Sequence, residues 1–93
     1  PFDVVVCSSD ALAQGVLAEA GARGIAVPGE LAIMGFGDLD FSAYTVPALS
    51  SIHIDKRAIG VRAAEALIAR IEGGTAEERI IDVGFSLVER ETT

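Results

Sequence analysis

The sequence predicts an α/β fold with a parallel sheet, and three observations carry that prediction. The run DVVVC, Asp3 to Cys7, is β-branched and apolar, which is typical of a central strand covered on both faces. A segment with helical periodicity and a second apolar run follow it, so residues 3–36 predict one right-handed βαβ unit. Only 5% of the residues are aromatic and tryptophan is absent, which favours an aliphatic α/β core over an aromatic-rich β-sandwich.

The first helix is predicted from about Ala11 to Arg23. Ser9 and Asp10 precede it, and both residue types are favoured at helix N-caps. Four apolar residues share one helical stripe: Leu12, Val16, Leu17 and Ala20. A proline–glycine turn then leads into the second predicted strand, LAIMGF, residues 31–36.

The second half of the chain predicts a further strand, a strong helix and two short strands. A loop over residues 37–48 leads into the strand LSSIHI, Leu49 to Ile54. The segment KRAIGVRAAEALIARIEGG has the strongest helical signal in the chain and stops at two glycines. Its apolar face comprises Gly60, Ala64, Leu67, Ile68 and Ile71. The final ERIIDVGFSLVERETT predicts two short strands interrupted at Gly84.

Charge and composition exclude several classes of function for this segment. The formal net charge is -7, whereas binding to a nucleic-acid backbone depends on clustered lysine and arginine. The single cysteine, Cys7, allows no intramolecular disulfide, fits a reducing compartment and suits a small buried position. The sequence has neither a leader nor an apolar run long enough to cross a membrane. Because the chain opens directly on a strand, we expect a longer N-terminal portion to precede Pro1.

The sequence predicts no catalytic, metal or cofactor site. His53 stands alone, and Asp38, Asp40 and Asp55 lack the spacing of metal ligands. The GFGD stretch has no third glycine and no helix directly after it, so a dinucleotide site is not indicated. The chain has no hydrolase order of serine, histidine and aspartate, and Cys7 has no activating neighbour in the sequence. We therefore expect a protein that is not an enzyme.

Polar residues follow both strands of the predicted βαβ unit. Ser9 and Asp10 come after the first strand, and Phe36 and Asp38 come at the end of the second. In an open parallel sheet, ligands bind at the edge formed by the carboxyl ends of the strands. These side chains predict a site for a small hydroxylated ligand, with an apolar face from Phe36 or Phe41. An alternative stays open, in which Ser9 or Asp10 only caps the helix and Asp38 only makes a turn.

Seven short motifs occur in order over nearly the whole chain. They are the pair Ser9 and Asp10, the helix that follows it, Val27 with Pro28, Gly35 with Phe36, Pro47 to Ile52, Gly60 to Ile71, and Arg90. Each motif alone is weak, but the succession is specific. It resembles the C-terminal third of the lactose-repressor (LacI/GalR) family of bacterial transcription regulators.

Two departures from the family pattern concern the ligand. The family's ligand-contacting asparagine corresponds to Ser9, which keeps a hydrogen-bonding side chain with a shorter reach. The family's sugar-binding aspartate corresponds to Gly37, so Asp38 takes over that role or the site has changed its ligand. The variant GFGD is similar to the gluconate-responsive repressors of the family, which implies a sugar acid as effector. The carboxylate of such an effector needs a cation to bind it. That cation would then come from the lobe of the family's two-lobed domain that this chain lacks.

The resemblance implies two Rossmann-like lobes of the type I periplasmic-binding-protein kind, of which this chain is a C-terminal fragment. Residues 1–48 would belong to the C-terminal lobe, and residues 49–55 would cross between the lobes. Residues 56–84 would belong to the N-terminal lobe, and residues 85–93 would form a returning strand and tail. The crossing segment would act as a hinge, with three candidate residues: Ser51, His53 and Asp55.

The resemblance also implies a function. The chain would be the effector-sensing and dimerising part of a cytoplasmic repressor, which contacts operator DNA only through a helix-turn-helix domain outside this chain. Four apolar residues are candidates for the homodimer interface, or equally for the core: Leu12, Leu17, Tyr44 and Val46. The main alternative is a periplasmic sugar-binding protein of a transporter, which shares the two-lobed architecture. No cofactor and no membrane contact is expected.

Overall fold

The computed structural model describes residues 3–74 and 83–93. The elements in chain order are β1 (Asp3–Val6), α1 (Asp10–Ala22), β2 (Leu31–Met34), a 3-10 helix (Asp40–Tyr44), β3 (Ser51–His53), α2 (Lys56–Ile71) and β4 (Ser86–Val88). None of the helices in these two ranges combines the length and the apolar character that crossing a bilayer requires.

The predicted βαβ unit and parallel sheet are confirmed. β1 pairs in parallel with β2, with Asp3 opposite Leu31 and Val6 opposite Met34. Between them, α1 begins one residue earlier than predicted, because Ser9 is its N-cap and accepts a hydrogen bond from the Leu12 N–H at 3.2 Å.

The second strand is shorter than the predicted residues 31–36. Regular pairing ends at Met34, and the chain beyond it pairs with the segment that leads into β3. The N–H of Gly35 donates to Ser50 at 2.9 Å, and the N–H of Gly37 donates to Ile52 at 2.8 Å. Gly37 has a φ of 110°, a conformation that ends the strand and that glycine adopts without a Cβ penalty.

One face of the sheet forms the core with α1. Its buried apolar residues are Cys7, Ala13, Leu17, Ile33 and Leu49, with Val5 packed against them. Cys7 is the small buried residue that its position predicted, and burial raises the pKa of its thiol. The expectation that β1 is covered on both faces is wrong within the described residues. Val4 and Val6 alternate with Val5 onto the opposite face, where both are exposed.

The predicted strand Leu49 to Ile54 is reduced to Ser51–His53, and the loop before it contains the 3-10 helix Asp40–Tyr44. β3 pairs antiparallel with β4, with Ser51 opposite Val88. The tail then reaches the core, where the N–H of Ile33 donates to the Thr92 carbonyl at 2.9 Å. Thr92 Oγ1 donates to the Ile33 carbonyl and accepts from the Ser50 N–H. The C-terminal tail is therefore built into the same unit as the βαβ motif.

The chain divides into two compact units, residues 1–53 with 86–93 and residues 54–85. The second unit contains α2, which begins after Asp55, whose Oδ1 accepts from the Ala58 N–H at 2.9 Å. None of the described side chains of α2 is buried, so the packing of its apolar face stays a prediction. The first of the two predicted C-terminal strands falls mainly in residues 75–82, outside the described ranges. The assignment of segments to lobes stays a prediction.

Candidate functional site

The polar residues that follow β1 and β2 meet at one edge of the sheet. The N–H of Cys7 donates to the Met34 carbonyl at 2.8 Å, and the N–H of Asp10 donates to the Phe36 carbonyl at 3.1 Å. These two hydrogen bonds hold the start of α1 beside the loop that follows β2. Asp10, Phe36 and Asp38 are thus neighbours at the carboxyl edge of the strands, where α/β proteins bind ligands.

Asp10 lies at the centre of this edge, and its side chain is fully buried. Its Oδ2 accepts from the Leu39 N–H at 2.8 Å and from the Ser42 hydroxyl, and its Oδ1 accepts from the Ser51 hydroxyl at 2.7 Å. Since both carboxylate oxygens are engaged with the protein, the expectation that Asp10 contacts a ligand is corrected. Its role is to join the start of α1 to the 3-10 loop and to β3.

Burial and hydrogen bonding act in opposite directions on Asp10. Burial is the largest influence and favours the neutral acid, but the Ser42 and Ser51 hydroxyls and the Leu39 and Phe36 backbone favour the carboxylate. The hydrogen bonds together prevail and hold the pKa of Asp10 below its usual value. The buried side chain is therefore an anion, stabilised by donors from three parts of the chain.

Asp38 projects from the loop after β2 and is held by three groups. Its N–H donates to Ser51 Oγ at 3.0 Å. Its Oδ1 accepts from Arg90 Nη2 at 2.8 Å, and its Oδ2 lies 3.1 Å from His53 Nδ1. Its φ of 52° is in the left-handed region, which residues other than glycine adopt rarely and mostly as Asn or Asp. The side chain is 17% exposed, so it borders solvent at the sheet edge.

Arg90 is a cation at this site that the chain itself supplies. Its Nη1 donates to the Leu49 carbonyl at 2.7 Å, and its backbone N–H donates to Ser50 Oγ at 2.7 Å. In the sequence, Arg90 is only one of the seven family motifs, and the cation for an effector carboxylate is expected from the missing lobe. The source of the cation for an effector carboxylate stays a prediction, and the tail also brings the Arg90 guanidinium to Asp38.

Ser9, Phe36 and His53 complete the surface of the site. The Phe36 ring is 40% exposed and the His53 side chain is 49% exposed, so both are accessible at this edge. The Ser9 hydroxyl is engaged as the cap of α1, which is the structural alternative that the sequence left open. Together the residues offer an apolar face, an acid–guanidinium pair and an imidazole. They suit hydrogen bonding to a polar small molecule.

The three predicted hinge residues have different surroundings. Ser51 is buried in β3 between Asp10 and Asp38, and His53 ends the same strand beside Asp38. Asp55 lies beyond the division between the two units and caps α2. Ser51 and His53 therefore belong to the candidate site, whereas Asp55 has a local role in helix initiation.

The candidate interface residues also separate into two groups. Leu17 is buried in the core with Ala13 and Ile33, so its assignment to an interface is wrong and the core alternative holds. Three of the four are exposed: Leu12, Tyr44 and Val46. Their place in an interface stays a prediction.

Ser42 and Thr92 are not among the residues predicted from the sequence. Both are fully buried, and each satisfies groups more than 30 residues away along the chain. Neither stands in a local pattern that indicates a buried role, because isolated serines and threonines usually lie in loops. A hydroxyl opposite a buried carboxylate becomes visible only when the chain is folded.

Comparison with known proteins identifies the family. The family profile described as "Periplasmic binding protein-like domain" matches residues 3–93. The HTH-type transcriptional regulator GntR of Pseudomonas aeruginosa is 50% identical over 91 residues, which cover 98% of this chain and 26% of that protein.

Solved structures agree with the sequence relatives. The crystal structure of the transcription regulator GntR from Chromobacterium violaceum has a TM-score of 0.82 at 43% identity, and the match covers 97% of this chain and 33% of that one. A LacI-family putative transcriptional regulator from Sanguibacter keddieii has a TM-score of 0.85 at 37% identity, covering 96% and 34% of the two chains.

The chain spans about a quarter of the length of the curated relatives that it matches. The match extends along almost all of the present residues, and it includes the sheet edge at which Asp10, Asp38 and Arg90 meet. The chain belongs to the family of periplasmic-binding-protein-like domains and, within it, is similar over nearly its whole length to one part of LacI/GalR-family transcriptional regulators such as GntR.

Proposed function

We propose that this chain senses a sugar acid of the gluconate type and contributes to dimerisation in a bacterial transcriptional regulator. The observation that carries the proposal is the Asp38 carboxylate, held between Arg90 and His53 at the carboxyl edge of the sheet. The likeness of GFGD to gluconate-responsive repressors supports the ligand class. The relatives, named as transcriptional regulators, support the regulatory role.

The chemistry of the site suits an effector with both hydroxyl groups and a carboxylate. Asp38 would accept hydrogen bonds from effector hydroxyls, and the partly exposed Phe36 ring would cover a face of the carbon chain. Arg90 has five N–H donors in a fixed planar group. It can therefore serve Leu49, Asp38 and an effector carboxylate together, with His53 as a second donor when it is protonated.

Effector binding would change DNA binding through the crossing segment. Residues 49–55 contain both Ser51 and His53, so a ligand at Asp38 would act directly on the strand that is expected to connect the lobes. A coupling of about 1–3 kcal/mol is enough to change operator affinity 5- to 150-fold. Operator DNA would be bound in the cytoplasm by a helix-turn-helix domain outside this chain, as a homodimer on a two-fold operator.

Calorimetry on the full-length natural protein tests the sugar-acid effector. We expect saturable heat on titration with gluconate and none with glucose, which has the hydroxyls but no carboxylate. Asp38→Ala should weaken gluconate binding at least about tenfold, because it removes an acceptor and leaves Arg90 without its partner. Asp40→Ala is the matched control, since Asp40 is exposed two positions away on the 3-10 helix. Equal binding of gluconate by wild type and Asp38→Ala would contradict the assigned site.

A DNA-binding measurement separates the regulator from the periplasmic alternative. We expect the full-length protein to retard DNA from the promoter region of its own gene, and gluconate to change the affinity. A protein that binds gluconate and no DNA would instead favour a sugar-binding protein of a transporter.

A further inference from the structure

The Ser51 hydroxyl forms hydrogen bonds both to the backbone of Asp38 and to the side chain of Asp10. The Asp38 N–H donates to Ser51 Oγ at 3.0 Å, and Ser51 Oγ lies 2.7 Å from Asp10 Oδ1. An N–H can only donate and an ionised carboxylate can only accept, so the direction of both hydrogen bonds is determined. The hydroxyl accepts from Asp38 and donates to Asp10.

The hydrogen bond to Ser51 holds the main chain of Asp38, whereas Arg90 and His53 contact its side chain. The distinction matters because Asp38 has a φ of 52°, a conformation that needs support from its surroundings. The negative charge of Asp10 polarises the Ser51 hydroxyl and so strengthens the hydrogen bond from the Asp38 N–H. The buried Asp10 carboxylate is thus linked through the Ser51 hydroxyl to Asp38, the candidate ligand-binding residue.

Ser51 itself cannot contact an effector, because it is fully buried. We propose that Ser51 is a positioning residue for effector recognition, which holds Asp38 in its left-handed conformation and links it to the buried Asp10. The part of this inference that concerns effector affinity rests on the proposed function. The part that concerns the backbone of Asp38 is independent of any ligand.

Ser42 provides a matched comparison. Its hydroxyl is equally buried and donates to the other oxygen of the same carboxylate, Asp10 Oδ2. Its Oγ has no described hydrogen bond to Asp38. Ser42→Ala and Ser51→Ala therefore each remove one hydrogen bond to Asp10, but only Ser51→Ala removes the acceptor of the Asp38 N–H.

Hydrogen–deuterium exchange of the Asp38 N–H tests the positioning role in the full-length protein. We expect Ser51→Ala to speed this exchange about tenfold relative to wild type, in proportion to the loss of one hydrogen bond. Ser42→Ala should leave it nearly unchanged, and Ser51→Thr should restore protection because it keeps the hydroxyl. Unchanged protection in Ser51→Ala, or equal loss in Ser51→Ala and Ser42→Ala, would overturn the inference.

Effector affinity is the second readout. In calorimetry with gluconate, we expect Ser51→Ala to weaken the Kd about tenfold and Ser51→Thr to restore it, with Ser42→Ala close to wild type. A similar loss in both alanine variants would show a general structural effect and contradict the positioning role. If wild type binds no gluconate, the sugar-acid proposal fails, while the exchange of the Asp38 N–H still decides the role of Ser51.

Discussion

At the scale of single residues, the candidate site is organised around the buried carboxylate of Asp10. Its hydrogen bonds come from Leu39, Ser42 and Ser51, which are 29 to 41 positions away along the chain. A buried anion depends on such donors, and each donor that is lost leaves it less well satisfied. Changes at Asp10 or in the space around it should therefore be costly.

The lack of space beside Asp10 explains why position 35 is a glycine. A Cβ atom at this position would lie 2.1 Å from Asp10 Oδ1 and 3.3 Å from Asp10 Cα, so the contact includes backbone that cannot rotate away. We expect Gly35→Ala to lower the free energy of unfolding by about 1–3 kcal/mol. Gly15→Ala is the control, since no atom lies within 4 Å of its added Cβ, and the higher helix propensity of alanine should raise stability slightly. Urea unfolding of the full-length protein measures both, and equal stability of the two variants would contradict the packing argument.

The ionisation of Asp10 predicts a pH-dependent contribution to stability. Its pKa in the folded protein lies below the usual value of 3.8. A depressed pKa stabilises the fold above the unfolded pKa, and this contribution is lost as the pH falls through the folded pKa. We expect Asp10→Asn to cost about 3 kcal/mol at neutral pH, where it leaves three donors without a carboxylate.

The difference between wild type and Asp10→Asn should shrink as the pH falls below 3.8. Urea unfolding at a series of pH values down to the acid transition measures it. The two proteins have every other carboxylate in common, so the difference between them isolates the contribution of Asp10. A difference that stays constant through the acid range would show that Asp10 is not ionised in the folded protein.

At the scale of elements, the N-terminus of α1 serves both the fold and the candidate site. Ser9 caps the helix through the Leu12 N–H, and Asp10 follows at its first position. Serine and asparagine are both good N-caps, so either side chain could begin the helix at this position. The hydroxyl still has a proton to donate, so capping and ligand contact are compatible.

Two substitutions at Ser9 separate these roles. We expect Ser9→Ala to lower the free energy of unfolding by about 1 kcal/mol through loss of the cap, and Ser9→Asn to retain it. If Ser9 also contacts the effector, Ser9→Ala should weaken gluconate binding under conditions in which the variant is fully folded. Urea unfolding and calorimetry on the same preparations measure the two effects. Loss of stability with unchanged affinity would leave Ser9 as a cap alone.

At the scale of the whole molecule, the chain matches one segment of longer relatives. It spans about a quarter of its curated relatives, and its net charge of -7 does not favour contact with a nucleic-acid backbone. Apolar side chains remain exposed on the loop that contains the 3-10 helix, where Tyr44 is 84% and Val46 is 92% exposed. Tyrosine is enriched at protein–protein interfaces, so Tyr44 and its neighbour Val46 are the positions at which we test the proposed homodimer.

The proposed homodimer can be tested at these positions. We expect Tyr44→Asp with Val46→Asp to shift the full-length protein from dimer toward monomer in sedimentation velocity, because charges would be buried without partners. Ala26→Asp is the control, as it adds an exposed charge near the amino end of β2. A double variant that sediments as the wild-type dimer would place the interface elsewhere.

The sequence by itself determined the βαβ unit, the N-cap of α1 and the family. Alternation, helical periodicity and N-cap residues depend on neighbours within a few positions, and so β1, α1, β2 and α2 could be predicted with boundaries near the observed ones. The meeting of Asp10, Phe36 and Asp38 was predictable too, because parallel strands bring their carboxyl ends to one edge.

Only the tertiary structure decided what each polar residue does. Asp10 became a buried anchor and not a ligand contact, Leu17 became core, and Arg90 came from the tail to pair with Asp38. Ser42, Ser51 and Thr92 acquired their roles through hydrogen bonds that span 13 to 59 positions. Such contacts leave no local pattern, because a hydroxyl or carboxylate has the same propensities whether its partner is water or a buried group. Folding removes the water from these groups, and each then forms a hydrogen bond with the group that the tertiary structure places beside it.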